Sequence, residues 1–582
     1  MKYIFKLFIP VICLAFLSCS RSLKDGDYTL TVLSTNDVHS TWFDSTYVGG
    51  GIKNSIFAMN YYIDSVRTAD GPQNVLLIDA GDCLQGDNAA YYFNYVDTET
   101  PHLFPRIIEY MKYDAIAMGN HDIETGHPVY DRVQKALVKA HAPFMAANAV
   151  RNDNGKSYFP AYKMVRKAGL RIAIIGYNNA NIKAWLSEEL WSGMHFESIA
   201  SRIQSDVDYV RGKEHPDIVV AAMHSACGQG DGTILEAEAL DAFNLVKGVD
   251  WLICGHDHRP YVETRDTCAL LNSGSHSRYV AHGKMHLTVK DGAVASKSFE
   301  TDLIPVKAEK ADPVMRAHFR KDFEAVRAFT LQEVGILNMD LRTRDSYAGM
   351  CDYINLIHTI CLAQEPAELS IAAPLTYNKT IKSGILIFND LFTIYPFENQ
   401  LYVIKMTGDE VVRYLEASYD RWIVTASKPG DHVLNIIEKD NPRTMQKGWS
   451  FANAQYNFDS VAGINYTVDV TKPRGKRINV TSMADGSAFD PARTYNVALT
   501  SYRASGGGAL LDEIGIETDL IDERVVARYP EIRNLLFQRL QEDPSIDPEE
   551  VSDPSILGHW SFVPQEIAGP ALDNDLTLLF GR

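Results

Sequence analysis

Aspartate, asparagine and histidine recur in short clusters through the first half of the chain. They are Asn36, Asp37 and His39; Asp82; Asn120, His121 and Asp122; His224; and His256, Asp257 and His258. Imidazole, carboxylate and amide oxygen suit Zn, Mn, Fe or Co better than thiolate-seeking ions. A pair of such divalent ions activates water near neutral pH and clamps phosphoryl oxygens. Two divalent ions outweigh the carboxylates of Asp37 and Asp82. The centre therefore stays cationic and can hold a phosphate, although the chain as a whole carries a net charge of −18. Taken singly, each cluster also reads as an ordinary turn.

Their place in the chain separates the two readings. From Tyr28 to about Glu300 short apolar runs alternate with segments of helical period. YTLTVLST, NVLLIDAG, DAIAMG, PFMAAN, LRIAIIG, DIVVAAM and DWLICG are continuously apolar, as strands covered on both faces should be. Five of them run directly into the polar clusters, and five of the chain's 17 histidines sit there. In α/β sheets, ligands bind in the crevice at the carboxyl ends of the strands. The clusters are thus predicted to meet at one sheet edge.

In order, DxH, GD, GNHD, a lone His and GHDH resemble the calcineurin-like metallophosphoesterase signature over residues 30–260. The resemblance implies a four-layer α/β sandwich holding two divalent metal ions. Asp37, His39, Asp82 and His258 would hold one ion, and Asp82, Asn120, His224 and His256 the other, with Asp82 bridging. His121 would act on the phosphate or the leaving oxygen. The nucleotidase branch pairs that histidine with a downstream Asp; here Glu124 stands at the matching position, with Asp122 as an alternative partner. Asp257 reads as an outer or solvated residue; His276 in SGSHSR reads as part of a surface loop, with an approach to the site as the alternative.

A chain of 582 residues exceeds one hydrophobic core, so two domains are expected. The predicted organisation is a signal segment over 1–19, a first domain over 28–305, a linking helix over 306–335, a smaller α/β domain over 336–545 and a tail over 546–582. The second domain resembles the C-terminal domain of periplasmic nucleotidases. Its nearest likeness is the branch of 2′,3′-cyclic-nucleotide 2′-phosphodiesterase/3′-nucleotidases, through AAPL, DLFTIYPFENQLYVIKMTG, YNFDSVAGINYTVDVTKP and TSYRASGGG. Where the 5′-nucleotidase branch carries a glycine-rich NGGGIR-like segment, this chain has AAPLTYNKTIKSG. The implied substrate is a nucleotide or cyclic nucleotide, cleaved to nucleoside and phosphate. The rival readings are a 5′-nucleotidase/UDP-sugar hydrolase and a non-catalytic nucleotide-binding surface lipoprotein.

Aromatic clamps suit a flat base, and stacking contributes ~1–3 kcal/mol per base. Tyr456 or Phe458 on one side and Tyr502 on the other are the candidates; period-two alternation puts Tyr456 and Phe458 on one face. Arg344, Arg342 and Arg503 are candidate phosphate contacts.

At the N-terminus Lys2 and Lys6 precede an apolar run, Leu7 to Leu17, too short to span a bilayer. It closes on FLSC, which resembles a bacterial lipoprotein signal. Lipidation of Cys19 would anchor the chain at the periplasmic or outer face of a membrane. The acidic charge and the lack of a basic face disfavour polymeric nucleic acid. Six cysteines follow the signal without CxxC spacing, so no cysteine zinc site is expected. Cys351 and Cys361 lie ten residues apart on one predicted helix, about 15 Å, too far for a disulfide; other pairings stay open.

Overall fold

The computed structural model describes residues 23–441 and 446–581. The signal segment and Cys19 lie outside the described residues. Two six-stranded sheets form the centre of the first domain. One runs, in spatial order, Ala293–Pro305, Tyr279–Lys290, Gly26–Thr35, Val75–Asp79, Ala115–Ala117 and Phe144–Met145. The other runs Pro260–Thr264, Ala269–Ser273, Trp251–Ile253, Ile218–Met223, Leu170–Tyr177 and Tyr162–Lys167. Leu30, Val32, Ile78, Ile172, Val220 and Trp251 fill the space between the sheets. Helices cover both outer faces, so the layers run helix, sheet, sheet, helix. This is the predicted four-layer sandwich. It explains the continuous apolar runs, since each central strand is buried on both sides.

The strands that lead into the clusters pair in parallel within each sheet: Gly26–Thr35 with Val75–Asp79, that strand with Ala115–Ala117, and Ile218–Met223 with Trp251–Ile253. Parallel pairing puts their carboxyl ends at one edge.

The second domain is built on a five-stranded sheet. Its order is Ser460–Ala462, Leu369–Ala372, Thr494–Thr500, Gln400–Thr407 and Val525–Glu531. Helices Asp352–Leu362, Gly408–Trp422 and Ile532–Glu542 pack on it. Helix Gly408–Trp422 starts on a capping box, in which Thr407 and Glu410 satisfy each other's backbone donors.

Two segments differ from the sequence reading. In place of one linking helix there are two, Pro313–His318 and Arg320–Thr330, split at Phe319. Met315, Phe319 and Val326 pack into the first domain's core, so this segment belongs to that domain more than it links. The residues from 546 onward are not a loose tail. Trp560–Val563 adds a parallel strand to Ile464–Asp469, and helix Gln565–Phe580 packs on the second domain through Ala568, Ala571 and Leu572. Pro570 inside that helix hid its period in the sequence.

All six described cysteines are free. Among the described residues no helix is long and apolar enough to cross a membrane.

His358 supplies a stability prediction for the second domain. Its ring is buried between the hydroxyls of Ser370 and Ser460, at 3.0 and 3.1 Å. Burial lowers its pKa from 6.5 to about 3. The fold thus favours the neutral ring. The contribution is full above about pH 6.5 and is lost as pH falls from there toward 3, at up to ~1.4 kcal/mol per pH unit. In urea titrations across pH 7 to 4, His358→Gln should show a shallower loss of stability than the parent chain.

Candidate metal and phosphate site

The loops at the shared sheet edge are forced into unusual backbone conformations. Asp37, His39, Asp82, His256 and His258 all have positive φ, between 42° and 81°. Such residues cost about 1–3 kcal/mol each and persist only where surroundings over-determine them. Glycine is required at two neighbouring points. A Cβ on Gly119 would lie 2.2 Å from Asp82 Oδ1, and one on Gly81 would lie 2.7 Å from Gly119 N. This is why GNHD opens with glycine.

Asp122 organises the loop, not His121. Its carboxylate accepts from the backbone N–H groups of Asp82, Cys83, Leu84 and Gly119 at 2.9–3.0 Å. That network fixes the backbone carrying Asp82. Glu124 is the group that touches His121, by a very short hydrogen bond to Nδ1.

Two groups of ligand atoms converge. Asp37, His39 and His258 form one, and Asp82, His224 and His256 the other, with ligand atoms within 4.8 Å of one another in each. His224 Nε2 is 3.0 Å from Asp82 Oδ2 and 3.9 Å from Asp37 Oδ1, so the groups adjoin. Asn120 Oδ1 lies 2.9 Å from His256 Nδ1, which adds the amide to the second group.

The donor chemistry fits cations. His224 Nδ1 donates to the carbonyl of Ala80 at 2.7 Å, which turns Nε2 toward the Asp82 carboxylate. His224 Nε2 and Asp37 Oδ1 are buried with no hydrogen-bond partner. His39 Nε2 and His258 Nε2 approach to 2.9 Å. Ring nitrogens and carboxylate oxygens crowded together in this way form a ligand set that a cation between them would satisfy. Burial pushes the Asp37 carboxyl up to about 7, and Asp82 adds to the rise, as expected of buried carboxylates brought together. His121 sits at the rim. Burial lowers its pKa, but the carboxylates of Glu124 and Asp82 outweigh that and raise it to about 10.

Several neighbours carried no sequence signal. Trp185, half-buried, stacks on His256 with ring centroids 5.1 Å apart. Gln85 Oε1 lies 3.2 Å from His39 Nδ1. His276 is exposed, as a loop residue should be, yet its ring stacks on His39 at 5.1 Å and its backbone N–H donates to the Asp37 carbonyl at 2.8 Å. Asp257 points away from the clusters, accepting from Cys227 N and Asn272 Nδ2.

In the second domain, Tyr456 is exposed and Tyr502 half-buried. Tyr502 is within electrostatic reach of Tyr456 and of Glu236 in the first domain. Gly507 lies against the Tyr502 ring, where a Cβ would come within 2.5 Å of it. Phe458 must be dropped as a clamp. It is fully buried, parallel to Trp422 at 5.6 Å and edge-on to Phe451. A 3₁₀ turn over Gln455–Asn457 breaks the alternation that would have put it beside Tyr456. Arg503 is not a free phosphate contact either. It is buried, paired with Asp459 at 2.8 Å, and donates to Tyr456 O, Asn457 Oδ1 and Gly507 O. It ties the two aromatic loops together. Arg344 is half-buried, with Asp345 3.9 Å away.

Comparison with known proteins agrees with this geometry. The family model for calcineurin-like phosphoesterases matches residues 30–260, and that for the 5′-nucleotidase C-terminal domain matches 329–513. A trifunctional nucleotide phosphoesterase of Bacillus subtilis is 23% identical over 94% of this chain, which spans 40% of that protein's length. A 2′,3′-cyclic-nucleotide 2′-phosphodiesterase/3′-nucleotidase of Haemophilus influenzae is 25% identical over 93% of this chain and 88% of its own. The solved structure of a putative 5′-nucleotidase from Staphylococcus aureus superposes with a TM-score of 0.73 at 20% identity, covering 92% of this chain and 99% of that one. Residues 30–260 are a calcineurin-like phosphoesterase domain and residues 329–513 a 5′-nucleotidase C-terminal domain, and the chain is a metal-dependent phosphoester hydrolase with two adjoining groups of metal-ligand residues.

Proposed function

We propose that this chain is a 2′,3′-cyclic-nucleotide 2′-phosphodiesterase/3′-nucleotidase that releases nucleoside and phosphate. The observation that carries the reaction is the convergence of ligand atoms from Asp37, His39 and His258 on one side and Asp82, His224 and His256 on the other, with Asp37 Oδ1 and His224 Nε2 buried. In this reading Asp37, His39, Asp82 and His258 hold one ion; Asp82, Asn120, His224 and His256 hold the second. When bound, the two ions supply Lewis acidity toward the phosphoryl group and activate water.

The chain's own residues do the rest. Glu124 holds the His121 imidazole by Nδ1 and keeps it protonated, leaving Nε2–H to donate to the phosphoryl or leaving oxygen. Tyr456 and Tyr502 clamp the base, and Arg344 reaches toward phosphate. A cyclic diester opens to the 3′-monoester, which the same site then cleaves. The His121–Glu124 dyad and the ligand set are the same for both steps, so one site suffices. Export as a lipoprotein anchored through Cys19, in the periplasm or at the surface, would place the reaction where nucleotides are scavenged.

A panel of 2′,3′-cyclic AMP, 3′-AMP, 5′-AMP and a UDP-sugar, with and without chelator, tests the substrate. The first two should be hydrolysed, and chelator should stop it. Turnover of only the last two would make the chain a 5′-nucleotidase/UDP-sugar hydrolase, and no turnover of any would make it a binding protein. Tyr502→Ala should raise KM for 3′-AMP roughly 5- to 100-fold, the loss of one stacked base face. Its effect on p-nitrophenyl phosphate, which has no base, should be small.

A further inference from the structure

The loop that carries Asp82 continues into the seam between the domains. Gln85, Asn88 and Tyr91, all within nine residues of Asp82, each meet the second domain. Asn88 Nδ2 donates to Asn389 Oδ1 at 3.0 Å, Tyr91 OH donates to Asn534 Oδ1 at 2.8 Å, and Gln85 Nε2 donates to Glu398 Oε2 at 3.4 Å. Glu398 is fixed from behind. Arg533 Nη2 donates to its Oε1 at 2.5 Å, and the Arg533 guanidinium, buried, lies 3.8 Å over the Phe392 ring and 5.1 Å over Tyr91.

The direction of these bonds matters more than their number. A carboxylate accepts and does not donate, so Glu398 requires the NH₂ end of the Gln85 amide to face it. The oxygen of that amide must then face His39 Nδ1, 3.2 Å away. An amide oxygen only accepts, so Nδ1 carries the ring proton. The lone pair is thereby placed on His39 Nε2, the atom that faces His258 Nε2 and lies 4.0 Å from Asp37 Oδ1 and Asp82 Oδ2. Partners of this kind, one step out from a ligand, fix its tautomer and ring orientation.

We propose that Glu398 is a positioning residue that acts from the second domain, through Gln85, to set His39 for metal binding, so that the affinity of one of the two ions depends on the contact between the domains. The proposal rests on His39 being a metal ligand. The loss it predicts is confined to the ion His39 holds, since the ligands of the other do not touch Gln85.

The test is metal content of the full-length chain, equilibrated with Co²⁺ across a graded series of chelator concentrations and read by elemental analysis and by the Co²⁺ visible spectrum. Gln85→Ala and Glu398→Ala should each bind one ion 10- to 100-fold more weakly and leave the other unchanged. The double variant should be no worse than either single one, since both cut the same link. Asn534→Ala, which cuts a neighbouring bond across the same seam without touching Gln85, should bind both ions as the parent does. If Glu398→Ala does not fold, Gln85→Met, which keeps the side chain's bulk and removes its amide, replaces it with the same expected loss. Parent-like binding in either the Gln85 or the Glu398 variant overturns the link, and so does an equal loss in Asn534→Ala, which would indicate general loosening of the seam. A parent chain that binds two ions while the variants match it sinks this inference alone; a parent chain that binds none sinks the ligand assignment beneath it.

Discussion

Asp82→Ala should abolish hydrolysis of 2′,3′-cyclic AMP and 3′-AMP and should lose both ions, not one. Asp82 stands in the second ligand group and also comes within 4.0 Å of His39 Nε2 in the first. Removing a shared carboxylate takes away the charge that holds the two cations side by side. Metal assistance is worth several kcal/mol of transition-state stabilisation. At 1.36 kcal/mol per factor of ten, the loss should be ~1,000-fold or more. The fold should survive. The Asp82 backbone is held by Asp122 through N–H groups that the substitution keeps. In chelator the variant should still melt cooperatively, somewhat below the parent chain, because it loses the hydrogen bond from His121 N–H and the charge facing His224. Steady-state rates, metal analysis and a thermal melt in chelator check the three parts separately. A variant that keeps wild-type turnover would show that Asp82 is a turn residue.

His121→Asn should leave metal content unchanged and lower kcat by roughly 100- to 10,000-fold, the usual range for a positioned proton donor. His121 has no place in either ligand group; its ring faces the rim, and its Nδ1 is taken by Glu124. KM should change much less than kcat, since the group acts on charge that develops during reaction. Glu124→Gln should fall between the parent and His121→Asn. The amide still accepts a hydrogen bond but no longer supplies the charge that raises the His121 pKa. Loss of metal in His121→Asn would instead make His121 part of the ligand framework.

The sandwich was legible because its strands are buried on both faces. Burial leaves continuous Val, Ile and Leu runs, and polar clusters follow five of the runs within a few residues. The pairing of His121 with Glu124 rests on the family resemblance, which leaves Asp122 open as the partner; in the structure Glu124 meets His121 from the C-cap of the short helix Asn120–Ile123, while Asp122 turns to the backbone. What the sequence could not give is contact across the domains. Gln85 and Glu398 are 313 positions apart, and no periodicity links them. Trp185 lies against His256 for the same reason, from a loop with no pattern of its own. Phe458 was misread because its alternation was extended back over a 3₁₀ turn, whose period is three. His276 was underrated because exposure and proximity to His39 are compatible at the rim of a shallow site. The two helices of 313–330 merged into one because Phe319 is apolar and sits in phase with both.

The account depends on two ions acting together at one phosphate. The most direct measurement titrates chelator-stripped protein with Mn²⁺ or Co²⁺ while following hydrolysis of 2′,3′-cyclic AMP and counting bound ions per chain. Activity should stay near zero as the first equivalent binds and rise to its full value only with the second. Full activity with one ion bound, or with none, would contradict it.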